Sequence, residues 1–144
     1  MNLKSLPLGM KSLLLILLIF ITISSTAQKI VSIEVHSIPL SIETVYDIPC
    51  SANFDKGFSS SLIIKKITRR DTLSNIESLL DRFTSQKMNS IDVRGHLLIV
   101  YPHKTQQICF DRFGDFYKGG RYFTNIQLFQ FLKLNRLISS FDDL

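Results

Sequence analysis

From residue 91 to residue 123 the chain alternates short apolar stretches with turn chemistry, and this rhythm restricts the fold more than any other feature. In residues 91–101, Ile91, Val93, Leu97, Ile99 and Tyr101 share one face at the period of two that marks a half-buried strand. Asp92, Arg94 and His96 take the opposite face. From Leu98 onward both faces are apolar, so the far end of this strand is expected to be covered on both sides. Residues 102–106 predict a hairpin loop, and residues 107–113 an antiparallel return. Gly114 and Asp115 predict a tight turn, residues 116–118 a short strand, Gly119 and Gly120 a second turn, and residues 121–123 another strand.

Upstream the pattern is looser. Val31, Ile33 and Val35 alternate with Ser32 and Glu34, which predicts a strand ended by Pro39. Residues 39–60 read as irregular chain, with Pro39, Pro49, Gly57 and a serine run at residues 59–61 among scattered apolar side chains. So long an unstructured stretch is unusual inside a compact domain. Either a short strand lies near residues 42–48, or the segment is a surface strap pinned at Cys50. Residues 62–67 predict a second strand. Asp71 and Thr72 offer N-cap oxygens to a helix over about 72–84, with Leu73, Ile76, Leu79, Leu80 and Phe83 on its apolar stripe. Thr124 or Asn125 caps a second helix over about 125–138. The expected fold is therefore α+β: one small domain in which two helices cover one face of an antiparallel sheet of about four to six strands.

The first 27 residues fall outside that fold. Lys4 and Lys11, the apolar run of residues 13–21, and the closing Ser25, Thr26 and Ala27 have the layout of a signal peptide cleaved between Ala27 and Gln28. The run is too short for a spanning signal anchor, which needs about 20 apolar residues, and no cysteine follows it to carry a lipid. The expected product is an exported domain of residues 28–144, secreted or periplasmic, that does not span a membrane. Without Lys4 and Lys11 the charge is 15 basic against 12 acidic residues, too mild an excess for a nucleic-acid binder.

In an oxidising compartment Cys50 and Cys109 predict one disulfide closing a loop of about 60 residues. The alternative is that Cys109 is a small buried hydrophobe. No other chemistry stands out. His36, His96 and His103 form no metal-ligand spacing, and neither cysteine has a histidine at ligand distance, so neither metal nor cofactor is expected. On a strand Asp92 lies about 13 Å from His96 and cannot orient it, which leaves that face to solvent. Asp111 and Asp115 resemble a carboxylate pair but flank a turn, where Asp is ordinary. The basic cluster Lys65, Lys66, Arg69 and Arg70 reads as a solvated strand end, or as a contact for headgroups or an acidic partner.

Eight of the fifteen Phe and Tyr residues lie between Phe110 and Phe131, interleaved with cations. Part of this set is needed as core. The rest, Arg112, Phe116, Tyr117, Lys118, Arg121 and Tyr122, forms a candidate recognition surface, since aromatic and arginine side chains dominate interface centres. The expected function is a non-catalytic exported binding module for a protein, peptide or envelope component. Two alternatives are a small hydrolase using His96 or Asp111, and a carrier of an apolar ligand between sheet and helices.

Overall fold

A computed structural model describes residues 29–139; the segment expected to be a signal peptide lies outside the described residues. The chain forms a single domain around a seven-stranded, wholly antiparallel sheet. The strands are β1 (Ser32–Ser37), β2 (Ile63–Ile67), β3 (Thr84–Gln86), β4 (Gly95–Tyr101), β5 (Lys104–Phe110), β6 (Asp115–Lys118) and β7 (Arg121–Thr124). Their spatial order is β2, β1, β4, β5, β6, β7, β3. Among the described residues three helices accompany them: α1 (Phe54–Gly57), α2 (Arg70–Leu80) and α3 (Ile126–Leu134).

Helices α2 and α3 cover one face, as their apolar stripes require. Leu73 and Ile76 from α2 and Leu128, Phe129 and Leu132 from α3 bury against Ile33, Val35, Leu97, Ile99, Ile108, Phe110 and Phe116 of the sheet. Asn125 joins the two helices. Its side chain accepts from the Leu128 amide (2.9 Å) as the N-cap of α3 and donates to the Leu79 carbonyl (2.7 Å) near the end of α2. Helix α2 starts earlier than its sequence pattern predicts, directly after Arg69. It has no side-chain cap; Asp71 instead sits in the first turn and pairs with Arg69 (2.6 Å).

The second face is closed by chain rather than by helices. Residues 39–62 and 88–93 lie across it, and Ile38, Phe54, Ile91, Val93 and Cys109 form a second buried cluster there. Residues 39–60 run as a strap over this face, with α1 as a single helical turn within it. The Cys50–Cys109 disulfide ties its middle to β5, with the Cα atoms 5.8 Å apart.

The sheet is larger than the four to six strands expected, because β3 is a polar edge strand, Thr84, Ser85 and Gln86, with no apolar alternation to announce it. It also ends α2 at Leu80 rather than near residue 84, although Phe83 still packs edge-on against Phe116 at 5.2 Å. The β4–β5 hairpin is tighter than predicted: Tyr101 pairs with Lys104, leaving only Pro102 and His103 as the turn. Between β6 and β7, Gly119 and Gly120 adopt φ of +56° and +82°, as a two-residue type I′ turn requires.

The largest departure lies at residues 91–95. Strand β4 begins at Gly95, and the expected common face breaks there: Ile91 and Val93 bury under the strap, whereas Leu97 and Ile99 bury under the helices. Gly95 permits the break. A Cβ at this position would collide with the His36 carbonyl and lie 2.5 Å from Phe110 Cζ. Arg94, expected in solvent, is fully buried. Its guanidinium pairs with Asp92 and donates to Thr44 Oγ1 (3.3 Å), while the Ile48 amide donates to Asp92 Oδ1 (3.1 Å). Burial pulls the Arg94 pKa down, and Asp92 opposes that shift. This buried ion pair is the strap's second anchor.

Candidate functional site

Registry across the sheet places one row of residues side by side on the strap face: His36 on β1, His96 on β4, Cys109 on β5, Tyr117 on β6 and Tyr122 on β7. The disulfide sits in the middle of the row and divides it into a histidine half and a tyrosine half.

In the histidine half, His36 and His96 face each other directly across β1 and β4, and their rings stack at 4.7 Å and 28°. His96, expected on a solvated face, is only 4 % exposed, and His36 7 %. Their cover comes from α1. Phe54 packs edge-on against His96 at 5.5 Å and also against Phe58 one helical turn on. The turn is secured by the Phe58 amide donating to the Phe54 carbonyl (3.1 Å). Asp55, next in sequence, is thereby aimed at both rings. One carboxylate oxygen lies 2.7 Å from His36 Nδ1, and the other lies 3.6 Å from His96 Nε2.

Three polar atoms of this cluster, His36 Nε2, His96 Nδ1 and Asp55 Oδ1, are buried without a hydrogen-bond partner in the protein. Buried polar atoms are nearly always paired, and each exception costs about 1–3 kcal/mol. Burial holds the His96 pKa below the ordinary imidazole value; Asp55 opposes the shift, and His36 adds to it. Glu34 stands behind His36, with Oε2 3.6 Å from Nε2, and its own carboxyl is kept below the usual range by a 2.8 Å bond from Lys66. Two imidazoles and a carboxylate that converge in this way can hold a divalent cation or share a proton. Among the described residues no hydroxyl or thiol hydrogen-bonds to either ring, and both cysteines are in the disulfide.

In the tyrosine half, Tyr117 and Tyr122 lie 5.1 Å apart between ring centroids and line a cleft of about 290 Å³ with Asp47, Pro49, Asn89 and the disulfide residue Cys50. The Tyr122 hydroxyl donates to the Asn89 carbonyl (2.9 Å), and Ser90 Oγ donates to Asp47 (2.8 Å), which fixes two walls. Val45 and Tyr46, 88 % and 83 % exposed, stand on the strap just before Asp47.

The other residues singled out in the sequence are dispersed by strand alternation. Phe116 pairs with Phe123, and Lys118 with Arg121, on the face opposite Tyr117 and Tyr122: Phe116 is fully buried and so lost to any surface, and the Lys118 ammonium lies 5.9 Å from the Phe83 ring centroid. Arg112 donates to the Ile42 carbonyl (3.0 Å) and lies 3.7 Å from Asp92, so it tethers the strap. Lys65 bonds the Arg136 carbonyl, Lys66 bonds Glu34, Arg69 bonds Asp71 and Arg70 donates to the Ile30 carbonyl (3.2 Å); the four engage separate partners and make no common patch. Asp111 Oδ1 accepts from the amides of Phe113, Gly114 and Asp115 (2.8–2.9 Å) and closes its own turn. Burial nevertheless raises its pKa, with these amides opposing. His103 is exposed in the β4–β5 turn.

Sequence reasoning weighed His36 only for metal-ligand spacing and passed over Asp55 entirely. The available signal was weak: a histidine alternating in phase with Glu34 on an apolar strand, and a Phe-Asp pair in an otherwise polar strap. Comparison with protein families, curated proteins and solved structures finds no match to the chain.

Proposed function

We propose that this chain is an exported, non-catalytic binding module that takes an extended peptide segment of a protein or envelope partner into the Tyr117 and Tyr122 cleft. The observation that carries the reading is two adjacent half-buried tyrosines on a wall braced by a disulfide. Large aromatic rings held in place bury area at little entropic cost, which is how interface anchors act. Asp47 and Asn89 supply polar groups to fix an occupant, and exposed Val45 and Tyr46 extend the apolar surface along the strap. The edge strand β3, exposed throughout and beyond β7, lies in the same sheet next to Tyr122, where an extended segment could add by main-chain pairing. A buried disulfide is consistent with an oxidising, extracytoplasmic location, and no helix among the described residues is long and apolar enough to cross a membrane.

The test is peptide selection on immobilised residues 28–144, followed by affinity measurement with the Tyr117→Ala and Tyr122→Ala variants. Each variant is expected to weaken a selected peptide at least tenfold. Equal affinity in the double variant would remove the cleft from the function.

A further inference from the structure

We propose that His36, His96 and Asp55 form a binding site for a divalent transition-metal ion of the zinc class, built on paired strands and completed by the strap. The donor set is two imidazole nitrogens and a carboxylate whose ligand atoms all lie within 4.8 Å of one another. Four-coordinate zinc with bonds of about 2.0–2.2 Å sets its ligand atoms roughly 3.3–3.5 Å apart. The distances of 2.7 Å and 3.6 Å from Asp55 to the two rings bracket that spacing, so an ion enters by small side-chain movements.

Three features favour an ion over a closed hydrogen-bond cluster. The donors come from rigid elements: two directly paired strand positions and a helical turn tied to the sheet five residues away at Cys50. Only one donor contact in the set is a hydrogen bond, and Asp55 Oδ1 is left buried without one. Glu34 stands behind His36 on the side away from Asp55, the place of the carboxylate that commonly backs a metal-bound histidine. The Asp55 side chain is 37 % exposed, which leaves a path for the ion and room for water at a fourth position. Imidazole ligation selects zinc and its neighbours over calcium or magnesium, which prefer oxygen donors. This site is independent of the tyrosine cleft.

Zinc titration of chelator-treated, disulfide-intact residues 28–144 against a chromophoric competitor tests the proposal. One ion per chain is expected. Asp55→Asn, nearly isosteric, and His96→Gln are each expected to weaken binding at least a hundredfold, Glu34→Gln about tenfold, and His103→Ala not at all. Because buried-histidine variants can misfold, nitrogen-15 spectra of the wild-type imidazoles provide a second measurement: zinc should shift His36 and His96 and leave His103 in place. No stoichiometric uptake, uptake unchanged in Asp55→Asn, or zinc shifts confined to His103 would each overturn the site.

Discussion

The Cys50–Cys109 bridge makes a quantitative prediction about what holds the strap. The two cysteines are 59 residues apart. The chain-entropy relation assigns a loop of that length about 4 kcal/mol at 25 °C. Domains of this kind have total stabilities of about 5–15 kcal/mol, so loss of the bridge should leave this one marginal. Cys50→Ala is the appropriate perturbation: Cys50 is half-buried and leaves little cavity, and the Cys109 thiol that remains is an acceptable buried hydrophobe. Urea unfolding followed by circular dichroism should show a loss of about 4 kcal/mol for the variant and a similar loss for the reduced wild type. Hydrogen exchange should locate the damage. The Val93 amide, which donates to the Ile48 carbonyl, should lose protection before the β4–β5 amides do. A loss below about 1 kcal/mol with Val93 still protected would show that the Arg94 and Asp92 anchor holds the strap unaided, and would refute the entropic argument.

Three further perturbations test the frame around the site. Gly95→Ala should destabilise by about 1–3 kcal/mol or more in thermal melts, because the added methyl meets the His36 backbone as well as the movable Phe110 ring; an unchanged midpoint would contradict the close approach of β1 and β4. Asn125→Ala should cost about 2 kcal/mol in denaturant unfolding, roughly one for the cap and one for the bond to Leu79, whereas Asn125→Asp should keep the cap and lose less. The raised pKa of Asp111 means that the folded state holds its proton more tightly than the unfolded chain, so this group's contribution to stability is greatest in acid and falls as pH rises through the folded pKa. Asp111→Asn should flatten that fall and remain stable at neutral pH, while Asp111→Ala, which abandons three amides, should lose about 2–3 kcal/mol; a pH profile identical to wild type in Asp111→Asn would remove Asp111 from the pH dependence, and a steeper fall would reverse the sign.

What could be read from the sequence followed the range of each signal. Alternation and helical spacing are local, so β1, β2, α2, α3 and the hairpins from residue 95 to residue 124 were legible, as was the Asn125 cap. Two export-compatible cysteines made the bridge legible too. β3 was not, because Thr84, Ser85 and Gln86 carry no apolar period and pair only through β7. Residues 91–94 misled for a different reason. Their alternation is real, but the faces change at Gly95, so Ile91 and Val93 bury under the strap while Leu97 and Ile99 bury under the helices, and Arg94 and His96 are buried because the strap covers them. The histidine cluster was invisible because His36, Asp55 and His96 meet only through registry and strap docking, across separations of 19 and 41 residues that no spacing rule covers.

The topology also sets an order of events for a chain made from its N-terminus. Strand β1 lies between β2, about thirty residues on, and β4, about sixty residues on. Until β4 is available, the edge of β1 that β4 pairs with is open, and Ile33 and Val35 lack part of the core they pack against. The β4 to β7 meander, by contrast, is assembled from neighbours and can form quickly. The strap cannot be pinned before both anchors, Arg94 and Cys109, have been made, since they belong to the later half. The disulfide that holds Asp55 near the histidines therefore cannot close until β5 has been made.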